Sequence, residues 1–316
     1  MNPSLQHNSD TSSNDVQEHL TGTALVLAGA GAAGNAWQLG LIAGLSDAGV
    51  DLTAADLIIG TSAGSTVAAQ ITSGTRPAEL YAAILAEGPP PQAAAGSDRG
   101  RGHLSGPNYM EWSNTIIDAA EDASDLRRRM GAAALEMGTS DGSGQTRWQT
   151  RWRDIVATRL PSHDWPQQRV LITAVDAHTG EPVVFDSRSG IQLVDAVAAS
   201  TSNGFGGPYA IGENQYINGA YRRGSNADLA AGYERVLVLE PFSGRSRHPL
   251  EWSMDLRAQV DELRAGGSRV ETVFPDAGSG DVFNANALDP STRLPAARGG
   301  YDQGRSLAAQ LSMFWR

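Results

Sequence analysis

The chain contains no cysteine. Disulfides, thiolate catalysis and cysteine-ligated metals are thereby excluded. It also contains no lysine, so all 24 basic residues are arginine. A phosphate-binding loop of the Walker type and a pyridoxal-phosphate Schiff base both call for a lysine, so neither chemistry fits. Positive charge is scarce overall, and the net charge is −11. An acidic field of that size argues against nucleic acid and strongly anionic membranes as general partners, while leaving room for local lipid contact. No apolar run approaches the ~18 residues of a membrane-spanning helix. Residues 1–20 lack the basic start and apolar stretch of a signal peptide, and their Ser, Asn, Asp and Gln content reads as a disordered polar tail. A cytoplasmic location is expected. No closely spaced histidine pair suggests zinc.

A large core can nevertheless form. The 316 residues are 41% hydrophobic and 19% charged, enough for one large domain over residues 21–316. Ala24 to Ala28 reads as a buried strand, Gly29 to Gly34 as a turn, and Asn35 to Ala48 as a helix with Trp37, Leu39, Leu41, Ile42 and Leu45 at helical spacing. Leu57 to Ile59 is a second short strand and Ser62 to Thr72 the helix after it. Strand–helix alternation of this kind predicts a parallel sheet. Residues 88–165 read as an inserted helical cap: a Pro/Gly-rich connector over Gly88 to Pro107, then helices from Tyr109 to about Arg153, broken at Gly138 to Gly144. Further strands are expected at Arg169 to Val175, Pro182 to Asp186, Tyr216-Ile217, Arg235 to Glu240 and Arg269 to Phe274. Helices are expected at Ile191 to Ser200, Trp252 to Ala265 and Gly304 to Phe314.

Three segments carry chemistry. Gly60-Thr61-Ser62-Ala63-Gly64 lies between a strand and a helix, the setting of a nucleophile elbow. Small residues must flank a serine in that strained turn, and the helix start behind it favours developing negative charge. The second segment, Gly29-Ala30-Gly31-Ala32-Ala33-Gly34, also joins a strand to a helix. Its backbone N–H groups suit an oxyanion hole. The same letters spell a dinucleotide fingerprint, with Asp51 near the position of the ribose-binding acid, and an ordinary turn without ligand is the third reading. The third segment is the strand end and turn Tyr216-Ile217-Asn218-Gly219-Ala220.

Taken together, these segments resemble the patatin-like phospholipases. The resemblance rests on Gly29 to Gly34 with Leu39-Gly40 following, on Gly60 to Ser65, and on Ala199-Ser200 through Asn218-Gly219-Ala220 to Asn226-Ala227-Asp228-Leu229-Ala230. It implies a three-layer α/β/α fold with a mainly parallel central sheet and a serine/aspartate dyad without histidine. Ser62 would attack an ester carbonyl, with the oxyanion held by backbone N–H groups of Gly29, Ala30, Gly31 and Ala32. Gly60 and Gly64 would shape the elbow, and Gly219 and Ala220 the base turn. No cofactor or metal is implied. The substrate would be a lipid or another acyl ester.

Two residues depart from that pattern. Ala33 stands where many members carry a basic residue near the oxyanion turn. Asn218 stands where the family has its carboxylate base. An amide cannot take a serine proton. Base assistance is typically worth about 10²–10⁴ in rate, so the dyad is expected to be impaired as written. An engineered substrate-trapping variant, a natural pseudoenzyme and deamidation at Asn218-Gly219 each account for it, and the intact surroundings favour the first. An acyltransferase or a non-hydrolytic lipid-binding protein on this scaffold is the alternative function.

Other candidates are read more plainly. His248, in Arg245 to Pro249, is the one late histidine a triad could use, and its polar loop suggests a surface residue. His178 sits in a predicted hairpin turn. Trp148, Trp152, Ile155 and Val156 share a helical face that either touches lipid as a lid or packs on the core. Arg127-Arg128-Arg129 reads as a solvated charge cluster.

Overall fold

The computed structural model describes residues 20–87, 106–139 and 144–316. The predicted polar tail, and most of the predicted connector before Pro107, lie outside the described residues.

Strand β1 (Thr21–Leu27) leads into helix α1 (Gly31–Asp47), and β2 (Leu57–Gly60) into α2 (Ala63–Ile71) and α3 (Pro77–Ala86). Helices α4 (Gly106–Ala119), α5 (Ala123–Thr139) and α6 (Gly144–Arg159) precede β3 (Arg169–Asp176), which forms an antiparallel hairpin with β4 (Pro182–Phe185). There follow α7 (Leu193–Thr201), the hairpin of β5 (Tyr209–Ile211) and β6 (Asn214–Asn218), then β7 (Tyr233–Leu239), α8 (Leu256–Ala265), β8 (Arg269–Val273) and α9 (Arg293–Trp315).

The strands form one sheet in the order β5-β6-β3-β2-β1-β7-β8, with β4 beside β3. Its centre is parallel, as β3-β2-β1-β7-β8, and β4, β5 and β6 add the antiparallel pairs. The predicted mainly parallel α/β/α architecture is therefore the one observed. Alternation along β1 sets the layers. Leu25 and Leu27 pack into the core under α1, α7 and α9, whereas Ala24 and Val26 face Leu256, Val260 and Leu263 of α8. A third cluster joins Leu126, Met130 and Ala134 of α5 to Val175 and Ile217 at the β3–β6 end of the sheet.

Several boundaries differ from the sequence reading. Helix α1 starts inside the glycine turn, at Gly31. Helix α9 starts at Arg293 rather than Gly304. Gly299, Gly300 and Gly304 do not stop it, because glycines are what α9 needs. A Cβ on Gly40 or Gly44 of α1 would strike the α9 backbone at Ala297 and Tyr301, and one on Gly300 or Gly304 would strike α1 at Trp37 and Leu41. The two helices meet backbone to backbone, which recovers in packing what glycine loses in helix propensity. Trp37 Nε1 adds a hydrogen bond to Gln303 Oε1 at 2.9 Å. Among the described residues no helix is long and apolar enough to cross a membrane.

The tryptophan face of α6 packs inward. Trp152 Nε1 donates to Ala198 O of α7 at 3.3 Å, Gln149 Nε2 to Ala210 O at 2.7 Å, and Arg153 pairs with Asp195 at 2.8 Å. Arg128 and Arg129 pair with Asp125 on their own helix, whereas Arg127 departs from the solvated reading and donates to Gly180 O at 2.8 Å.

Candidate active site

Sheet register brings the two ends of the site together. Gly60 of β2 pairs with Ile172 of β3, and Ala174, two residues further along β3, pairs with Asn218 of β6. Ser62 lies two residues beyond Gly60, at the level of Asn218 across β3. The side chains meet there: Asn218 Nδ2 donates to Ser62 Oγ at 2.9 Å.

Ser62 has φ 53° and ψ −122°, a positive-φ conformation rare for a residue with a side chain. Strain of this kind costs about 1–3 kcal/mol and persists only where the surroundings impose it. Here they do. A Cβ on Gly64 would strike Leu27 O, and one on Gly60 would lie 2.6 Å from Ser65 Cα, so both glycines are required for the turn to close. The Ser62 N–H donates to Ser200 Oγ at 2.9 Å, and Ser65 Oγ donates to Ser62 O at 2.6 Å. Ser200 is fully buried at the end of α7. Its place in the motif was legible in the sequence, but its grip on the elbow was not.

The glycine turn packs on the elbow. A Cβ on Gly29 would lie 2.8 Å from Ser62 Cβ. Around this turn, Ala28 N donates to Leu239 O, Ala33 N to Ala287 O and Gly34 N to Ala30 O. The N–H groups of Gly29, Ala30, Gly31 and Ala32 have no acceptor among the described residues. Of this turn, Gly29 is the residue that abuts Ser62, and N–H groups without an acceptor at the start of a helix can bind an anion. Gly31, at φ 55°, is covered by Ala287 and Leu288 from the segment before α9; a Cβ there would lie 2.7 Å from Leu288 Cδ2. Sequence reasoning gave that segment no role.

The base turn is equally tight. A Cβ on Gly219 would strike Thr173. Ala220 N donates to Asn218 Oδ1 at 2.9 Å. That bond fixes the amide: with Oδ1 on a backbone donor, the NH₂ group faces Ser62. Asn218 is 8% exposed, so few other partners can reach it.

The competing candidates sit elsewhere. Asp51 precedes β2, at the opposite end of the parallel strands from the glycine turn, and its carboxylate accepts from Thr53 N at 2.8 Å and Thr53 Oγ1 at 2.7 Å. A ribose-binding acid would end the second strand rather than precede it. His178 is exposed in the β3–β4 turn. His248 is half-buried rather than superficial, stacked on Trp252 with ring centroids 6.4 Å apart and bonded to neither Ser62 nor Asn218.

Glu240 follows β7, next to the end of β1. Burial raises its carboxyl to about 7, with the Phe242 N–H, which donates to it at 3.3 Å, acting in the other direction.

Two solved structures are similar in outline. VipD from Legionella pneumophila is 12% identical over 92% of this chain and 67% of VipD, with a TM-score of 0.42. The type III effector protein ExoU is 14% identical over 92% of this chain, with a TM-score of 0.40, and the match spans only about half of ExoU (53%). No curated protein sequence matches the chain. The family model for patatin-like phospholipase matches residues 25–231, more than half of the chain and all of the segments around Ser62 and Asn218. The chain belongs to the patatin-like phospholipase family.

Proposed function

We propose that Ser62 is the nucleophile of a lipid acyl ester hydrolase whose general-base position, residue 218, is filled by an amide. The observation that carries this reading is the direct bond from Asn218 Nδ2 to Ser62 Oγ, with the glycine turn packed on Ser62 at Gly29.

With a carboxylate at 218, one oxygen would keep the Ala220 N–H and the other would accept the Ser62 proton. Oγ would then attack the ester carbonyl, and the tetrahedral oxyanion would take the free N–H groups of the glycine turn. Collapse returns the proton to the departing alcohol and leaves an acyl-serine, which water hydrolyses with residue 218 again as base. With asparagine the polarity is reversed. The amide donates to Oγ, and the NH₂ group that faces the serine has no basic lone pair to take its proton, so attack loses the rate factor of about 10²–10⁴ that base help typically supplies. That same reversal favours a second reading, a lipid-binding protein that holds an acyl ester without turning it over efficiently.

Native deamidation is disfavoured by the same geometry. Both polar atoms of the Asn218 side chain are engaged, and Gly219 is wedged against Thr173, so the backbone nitrogen that would attack the side chain is not free to approach it.

Labelling with a fluorophosphonate tests the nucleophile. Covalent modification mapped by mass spectrometry to Ser62 and lost in Ser62→Ala is expected. Modification that persists in Ser62→Ala would assign the nucleophile elsewhere.

A further inference from the structure

Ser62 and Asn218 come from strands that do not touch. Strand β3 lies between β2 and β6, so backbone pairing fixes the two residues only indirectly. Besides the Asn218–Ser62 contact itself, a second buried side chain bridges that gap. Asn226, fully buried and left-handed at φ 57°, heads the 3-10 turn Ala227–Ala230. Its Nδ2 lies 3.0 Å from Thr61 Oγ1, 3.3 Å from Thr173 Oγ1 and 3.0 Å from Gly219 O. Thr61 immediately precedes Ser62. Gly219 immediately follows Asn218. Thr173 belongs to the strand between them, and its hydroxyl is 3.0 Å from that of Thr61.

The orientation of this amide is determined. Asn226 Oδ1 accepts from Arg222 Nη1 at 2.8 Å, and Arg222 is itself held by both oxygens of Asp228, at 2.9 and 2.6 Å. With the oxygen on a cation, the NH₂ group must face Thr61, Thr173 and Gly219. In a buried site such bonds are directional and costly to leave unmade. The arginine–aspartate pair thus aims one amide at the residues flanking both members of the candidate dyad.

We propose that Asn226 is the positioning residue of this site, setting the distance and orientation between Ser62 and residue 218. The inference rests on the dyad reading of those two residues. Asn226 touches neither the substrate carbonyl nor Ser62 Oγ in this role; it acts through Thr61 and Gly219. Displacements of about 1 Å away from the reacting atoms can cost on the order of 10²-fold in rate, so the clamp should be read in kcat rather than in KM.

The test uses the full chain carrying Asn218→Asp, with a p-nitrophenyl ester as substrate and fluorophosphonate titration counting reactive Ser62. Asn226→Asp keeps the shape, the left-handed backbone and the contact with Arg222, but replaces the donor facing Gly219 O by an acceptor. Asn226→Gly keeps only the backbone and serves if the first variant does not fold. The expected result is a fall in kcat per titrated site, on the order of 10²-fold for Asn226→Asp, with KM unchanged. An unchanged kcat per titrated site, even with fewer titratable sites or a lower thermal midpoint, would make Asn226 merely structural and overturn the proposal. A parent Asn218→Asp chain with neither turnover nor labelling would instead overturn the dyad reading, and this inference with it.

Discussion

Asn218 presents its amide nitrogen, not its oxygen, to Ser62 Oγ at 2.9 Å, because Ala220 N–H already holds the oxygen at 2.9 Å. In the proposed dyad a carboxylate at this position would accept from Ser62 Oγ, whereas the amide donates to it.

Ser200 is expected to act through the elbow. Its hydroxyl accepts the Ser62 N–H, and removing it leaves a buried donor unpaired beside a strained residue. Ser200→Ala should cost about 1–3 kcal/mol of stability, measured by denaturant unfolding. In an Asn218→Asp background it should also lower kcat. A variant of unchanged stability and turnover would mean that Gly60 and Gly64 alone hold the turn.

Gly29→Ala tests how closely the glycine turn abuts the nucleophile. The added methyl would sit 2.8 Å from Ser62 Cβ, too close without movement of one element. With Asn218→Asp as the parent, a loss of kcat on the order of 10²-fold is expected, with a folded protein by circular dichroism. Retention of parental turnover would show that the turn can move away without consequence.

Much of this was legible in the residues. Strands β1 and β2 announce themselves as short apolar runs, and the motif glycines mark their turns. The segments that carry Ser62 and Asn218 were recognisable because their residue patterns are local. Contacts between distant segments were not. The start of α9 at Arg293 rather than Gly304 was not legible, because what accommodates Gly300 and Gly304 inside a helix is close packing on α1, more than 250 residues away in sequence. Helix α3, over Pro77–Ala86, carries only Leu80 and Ile84 as buried residues, too few to declare a face. Leu288 over Gly31, Ser200 under Ser62 and Asn226 between Thr61 and Gly219 are all products of tertiary packing, and no periodicity encodes them.

Glu240 predicts a pH dependence of stability. Burial raises its carboxyl from the ordinary 4.5 to about 7 in the folded protein, so the folded state binds more proton than the unfolded state between those values. Stability from this group is therefore full below about 4.5 and declines as pH rises toward 7. Glu240→Gln should remove that decline. The check is the difference in unfolding free energy between the two proteins across this range, and a difference independent of pH would contradict the assignment.

Deamidation offers a check on the rigidity of the base turn. Held at 37 °C and neutral pH, the native chain should convert Asn218 more slowly than the same segment in a proteolytic peptide, followed by mass spectrometry. Equal rates would mean that the Asn218-Gly219 turn opens freely in the folded protein.

The most direct measurement is the rate of p-nitrophenyl ester hydrolysis by the chain as it stands, by Asn218→Asp, and by Asn218→Asp combined with Ser62→Ala. Restoring the carboxylate is expected to raise the rate by about 10²–10⁴, a gain abolished when Ser62 is removed. A folded Asn218→Asp protein no faster than its parent, or a gain that survives Ser62→Ala, would contradict the dyad reading.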